Sequence, residues 1–143
     1  MPTYYNGQIV PMGHDKNDIK TREQIISQVY RDFYRNNPKR AIRNIHLNAD
    51  INVRYLSVTE TVRHASKRFL STLAVLQLES ILACARQVGP SQPIKPGVKN
   101  QENFSRIIIM EHTLPGIGSV KLTVGVNKKD GKYIQYCLTA INT

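Results

Sequence analysis

Val120-Lys121-Leu122-Thr123-Val124-Gly125-Val126-Asn127 alternates apolar and polar or small residues at every step, and that alternation decides the fold. A period of two is the signature of a strand with one apolar face. The next run repeats it, with Ile134, Tyr136, Leu138 and Ala140 alternating with Tyr133, Gln135, Cys137 and Thr139. Lys128-Lys129-Asp130-Gly131-Lys132 joins the two. A two-residue Asp-Gly turn would set Leu122 opposite Thr139, apolar against polar along the ladder. A three-residue loop, Lys129-Asp130-Gly131 with the glycine left-handed, instead pairs Val126 with Ile134, Val124 with Tyr136, Leu122 with Leu138 and Val120 with Ala140. The opposite face then sets Lys121 beside Thr139, and this polar face is the candidate site.

Working outward, Phe104 to His112 reads as the first strand of a three-stranded meander. Ile107, Ile108, Ile109 and Met110 are consecutive, so both faces are apolar there and the second face of the sheet is expected to be partly covered. Leu114-Pro115-Gly116-Ile117-Gly118 is a turn, since Gly-Ile-Gly lacks the third glycine and the helix start of a phosphate-cradling loop. Before the meander, Pro90, Pro93, Pro96 and Gly97 mark a loop of about fourteen residues, long enough to be a functional flap or a linker. Leu73 to Val88 predicts a core helix, ended by Gly89-Pro90. Ser57 and Glu60 match a capping box whose helix turns Val58, Val62, Ala65 and Phe69 inward and leaves Thr61, His64 and Arg68 on another face. An imidazole one turn from a guanidinium places a proton-transfer group beside an anion-binding group. A surface histidine beside an arginine is the plainer reading of the same spacing.

Ile51 to Leu56 alternates weakly and predicts a short strand added to the sheet, while Lys39 to Ile45 reads equally as a helical turn or a loop. Thr21 and Gln24 match a capping box for a helix carrying Ile25, Ile26, Val29 and Phe33, with Arg22, Arg31 and Arg35 off its apolar stripe. Residues 1–20 lack periodicity and are expected to form an extended arm. The resulting fold class is α+β. A single domain, residues 21–143, packs N-terminal helices on a C-terminal three- to four-stranded antiparallel sheet.

Formal net charge is +10. Residues 21–70 carry 10 Lys/Arg against 4 Asp/Glu, and residues 71–143 carry 8 against 4, so the helical half is the more basic. That balance suits a polyanion such as nucleic acid, or an acidic protein partner, although basic charge spread for solubility gives the same total. Arg54, Arg63, Lys67, Lys95 and Lys99 are the candidate nucleic-acid contacts. Cys84 and Cys137 form neither a disulfide framework nor a metal-ligand spacing, so a reducing cytoplasm and no metal or cofactor are expected. No run reaches the ~18 apolar residues of a membrane span, and residues 1–20 lack a signal-peptide core.

Helices first, an antiparallel meander last, a histidine on a helix and a terminal strand reading Tyr136-Cys137-Leu138-Thr139-Ala140 resemble the barnase, EndoU, colicin-type and RelE-like nuclease superfamily. More narrowly, residues 51–141 look like the nuclease-like domains embedded in large polyvalent proteins of phages and mobile elements. The resemblance implies an α+β fold and metal-independent RNA cleavage by a helix histidine, basic residues and a hydroxyl on the last strand. On this chain those are His64, then Lys67 and Arg68, then Thr139. A departure is the lack of a second histidine near His64, since His112 falls at a strand end. RNA is therefore the expected partner ahead of DNA. The alternatives are a nucleic-acid binder without catalysis and a protein-binding module that uses its basic helices. The enzyme requires His64, Arg68, Lys121 and Thr139 to converge in one cleft, whereas a binder requires only a continuous positive surface.

Overall fold

The computed structural model describes residues 2–141. A hairpin of β1 (Tyr4–Tyr5) and β2 (Gln8–Ile9) precedes α1 (Lys16–Asn36), and a second hairpin of β3 (Ala41–Asn44) and β4 (Ala49–Asn52) follows it. Next come α2 (Tyr55–Ala65), α3 (Phe69–Val75) and α4 (Leu78–Cys84), then β5 (Arg86–Gln87) and a 3-10 turn at Lys99–Gln101. The meander β6 (Phe104–Leu114), β7 (Gly118–Asn127) and β8 (Tyr133–Ala140) closes the described chain.

The architecture is α+β, but the sheet is larger than the meander alone and is mixed. Its order is β3-β4-β8-β7-β6-β5, with β4 parallel to β8 through Ile51–Tyr133 and Asn52–Ile134. The segment left open between loop and helical turn thus supplies an edge strand.

The register of the terminal hairpin matches the alternation in one half only. Val120–Ala140, Lys121–Thr139 and Leu122–Leu138 pair as expected, whereas Val124 faces Gln135, Gly125 faces Ile134 and Val126 faces Tyr133. Two features cause the difference. The connection is a four-residue loop, Lys128 to Gly131, closed by bonds between Asn127 and Lys132 and from the Gly131 N–H to the Asn127 carbonyl, with Gly131 left-handed at φ 72°. A one-residue bulge at Tyr136 then restores the expected register. The bulge reverses the side-chain parity of Tyr133 to Gln135. Gln135 enters the main core, where its amide Nε2 donates to the Tyr30 hydroxyl at 2.6 Å and to Thr61 Oγ1 at 3.1 Å. Ile134 turns to the other face and joins Phe104 and Ile107 in a second cluster, with Ile94, Ile109 and Tyr136 against it.

The main core lies between the first face and the helices. Leu122 and Leu138 are fully buried with Val75, Leu78, Ile81 and Leu82. The helix expected from Leu73 to Val88 is two short helices, broken at Leu76–Gln77. There the Leu76 and Gln77 amides bond back three residues rather than four, to Leu73 and Ala74, and the break aims both pieces at the sheet. α1 starts at Lys16, inside the segment read as an arm, because Asp15 Oδ1 accepts the Asp18 N–H at 2.8 Å and caps it ahead of Thr21. Ser57 is the third residue of α2 rather than its cap, and its Oγ accepts the Arg54 N–H.

α2 and α3 close the edge of β8 that short β4 leaves uncovered. The Ser57 hydroxyl donates to the Gln135 carbonyl at 2.5 Å, the Cys137 thiol points at the Glu60 carbonyl at 3.8 Å, and Ser71 Oγ accepts the Ala140 N–H at 3.0 Å. Arg22, read as part of a basic face, is instead wholly buried. Its guanidinium donates to the carbonyls of Ser66 at 2.7 Å, Pro11 at 2.8 Å and Gly13 at 2.7 Å, tying the N-terminal segment to the end of α2. Burial lowers its pKa.

Candidate functional site

The placement of α2 along the β8 edge leaves its last turn overhanging the second face of the sheet. A cleft of about 330 Å³ opens beneath it, and His64, Lys121 and Thr139 all line it. Lys121 and Thr139 are directly opposed across β7 and β8, so their side chains stand together on one face. Thr123, Cys137 and Tyr136 continue the floor, with Ile107 and Ile109 from β6.

The opposite wall is the proline-rich loop, which the sheet holds in place. Gln92 and Ile107 exchange backbone hydrogen bonds at 2.7 and 2.8 Å, and the Val88 N–H donates to the Ile109 carbonyl at 2.9 Å. Gln101 Oε1 accepts the Lys95 N–H at 2.9 Å and folds the loop back on itself. Gln92, Pro93, Lys95 and Gln101 therefore face His64 across the cleft. The loop, read as a flap or a linker, supplies lining residues of the cleft.

Two groups in the floor are held protonated. Burial first, then its hydrogen bond to the Glu60 carboxylate, pushes the Tyr136 phenol up to about 12. Burial likewise pushes the Cys137 thiol up to about 11, far from the thiolate a nucleophile needs. Glu60 is buried, and Arg63 Nη1 stands 3.5 Å from its carboxylate.

Other expected site residues lie elsewhere. α2 ends at Ala65, so Arg68 does not stack one helical turn beyond His64; it caps α3 and is absent from the cleft lining. Thr61, expected on the face of His64, is buried against Gln135. Lys67 sits in the same turn as Arg68, its carbonyl 3.5 Å from Arg22 Nη2. Arg54 lies at the far end of α2, Lys99 opens the 3-10 turn, and Arg63 is engaged with Glu60. Of the five expected nucleic-acid contacts, only Lys95 lines the cleft. His112 pairs with Val120 and shares that residue's side of the sheet rather than that of Lys121.

Tyr136, Gln101 and Gln92 are the cleft residues that pattern reading misses. A bulge leaves no mark in a period-two pattern, and glutamines in a loop carry no periodicity at all. Among the described residues, no three His, Cys, Asp or Glu side chains gather where they could hold a metal ion, and no helix is long and apolar enough to cross a membrane. No protein-family model, curated protein or solved structure matches the chain.

Proposed function

We propose that this chain is a metal-independent ribonuclease-like domain with its site in the cleft under α2. The observation that carries the reading is that His64, Lys121 and Thr139, from a helix and two strands far apart in sequence, line the same cleft. Cleavage proceeds by attack of a ribose 2′-oxygen on the adjacent phosphorus, forming that P–O bond, breaking the bond to the 5′-oxygen and leaving a 2′,3′-cyclic phosphate. His64 takes the 2′-hydroxyl proton on an imidazole nitrogen. Lys121 carries the charge gathered on the phosphorane, with Lys95 across the cleft, while Thr139 donates a hydrogen bond to one of its oxygens. Solvent entering the open cleft protonates the departing 5′-oxygen. Arg68 has no place in this scheme.

The experiment is incubation of the purified protein with mixed RNA in the presence of a chelator, beside His64→Ala. Wild-type cleavage with a loss of roughly 10²- to 10⁴-fold in the variant is the expected result. Dependence on added metal, equal rates in the variant, or no cleavage by the wild type overturns the mechanism.

A further inference from the structure

We propose that a second hollow, between α1 and the first turn of α2, is a docking site for single-stranded RNA that works by base stacking. The proposal takes its ligand class from the reading above but uses a different part of the molecule. The hollow measures about 250 Å³ and is lined by Ser27, Tyr30, Arg31 and Tyr34 of α1, Arg40 of the following turn, and Tyr55 and Val58 of α2. The α1 residues recur at helical spacing and so share one face. No acidic side chain is among the lining residues, while both arginines are exposed.

Three observations distinguish this hollow from an ordinary basic surface. Tyr55 is 82% exposed, which leaves its ring open to a stacking partner. The Arg40 guanidinium lies 4.7 Å over the Tyr34 ring, and Tyr34 in turn packs edge-on to Phe33 at 5.9 Å. A guanidinium seated on one ring presents its other face to a base and its N–H edge to a phosphate. Arg40 also holds a left-handed backbone at φ 55°. The other non-glycine residues with positive φ among those described are Asn6 and Asn48, and asparagine tolerates that region as arginine does not. Two turn bonds, Arg40 N–H to Asn37 O and Val53 N–H to Arg40 O, both 2.8 Å, fix the conformation that carries this side chain to Tyr34.

An exposed aromatic ring beside arginines, without acids, suits unpaired bases on a phosphate backbone. A duplex hides its base faces, and an acidic peptide offers charge without bases. Tyr55 and His64 stand at opposite ends of α2, about 13 Å apart along its axis, so docking and cleavage are separable.

The test titrates a fluorescein-labelled single-stranded RNA decamer with the full chain, following anisotropy, for the wild type, Tyr55→Ala, Tyr55→Phe and Arg40→Ala. Tyr55→Ala is expected to weaken binding by roughly tenfold or more, within the range for a lost base–aromatic stack. Tyr55→Phe should bind within about twofold of the wild type, and Arg40→Ala should weaken binding. Because Tyr55 is exposed, its two variants should share the wild-type melting curve. Unchanged affinity in Tyr55→Ala and Arg40→Ala overturns the proposal even if the wild type cleaves RNA. Equal affinity for a duplex of the same length, or displacement by polyglutamate as readily as by RNA, also overturns it. Affinity lost in Tyr55→Ala, from a protein that cleaves nothing, upholds docking and overturns the cleavage mechanism alone.

Discussion

Gly125 has no side chain because Phe104 lies where one would stand. A Cβ built there would come within 2.4 Å of the Phe104 ring, which is itself fully buried. The glycine is therefore a packing device and not a turn. Gly125→Ala is expected to destabilise the fold by about 1 to 3 kcal/mol, the usual cost of overpacking. Urea melts should show the loss and its partial recovery in Gly125→Ala/Phe104→Leu, where the ring is gone; a single variant as stable as the wild type contradicts this packing. Residue-scale features of this kind are poorly legible in sequence. The alternation of Val120 to Val126 announces a strand and its buried face. It cannot announce that Gln135 is buried, because that depends on Tyr30 and Thr61 arriving from two helices to accept from its amide nitrogen. Arg22 misleads for the same reason. Its position off the apolar stripe reads as solvent, yet backbone carbonyls from Pro11, Gly13 and Ser66 gather around it.

The elements behave as the periodicities predict in their interiors and depart from them at their ends. α1 has its stripe of Ile25, Ile26, Val29 and Phe33 buried, but an aspartate outside the expected start caps it. The β1–β2 hairpin meets α1 through a polar joint, with the Tyr5 ring also packed against the main core. Tyr5 donates to Asp32 Oδ2 at 2.6 Å, with Asn6, Gln28 and Arg35 also bonded to that carboxylate. The Tyr5 hydrogen bond foremost holds the Asp32 pKa below its ordinary value, while burial and then Asp32 push the Tyr5 phenol up to about 12. The signs follow. Asp32 stabilises the joint above the ordinary aspartate pKa and loses that contribution as pH falls through its lowered value. Tyr5 contributes fully below about 10 and is lost as pH rises toward 12. Amide exchange in residues 4–9 should therefore accelerate at both extremes before the sheet opens. Asp32→Asn should remove the acid limb, and an acid limb that persists in that variant would place the joint elsewhere.

At the scale of the molecule, charge and topology decide what reaches the cleft. The net charge of +10 is dispersed, and Lys95 and Lys121 are the lysines brought to the cleft. Single-strand binding loses about 0.7 log unit of affinity per log unit of salt for each phosphate neutralised. Lys95→Gln/Lys121→Gln should accordingly flatten the salt slope for RNA by about 1.4, and an unchanged slope would show that neither lysine meets a phosphate. Lys121 beside Thr139 is legible from strand alternation alone, because that half of the hairpin keeps its simple register. Arg68 beside His64 is not, because the helix ends between them at a turn where the Thr72 hydroxyl bonds the carbonyls of Ala65 and Arg68, and no periodicity reports such a stop. The bulge at Tyr136 has one further meaning. With that residue struck out, Thr123 would still meet Cys137 and Val124 would still meet Gln135, in an unbroken ladder with the same side chains inward. The hairpin thus carries one residue more than its own closure requires, and that surplus residue sits in the cleft. A chain shortened by this single position would still have a complete hairpin, but a cleft without its phenol and a second cluster without the ring that packs on Phe104.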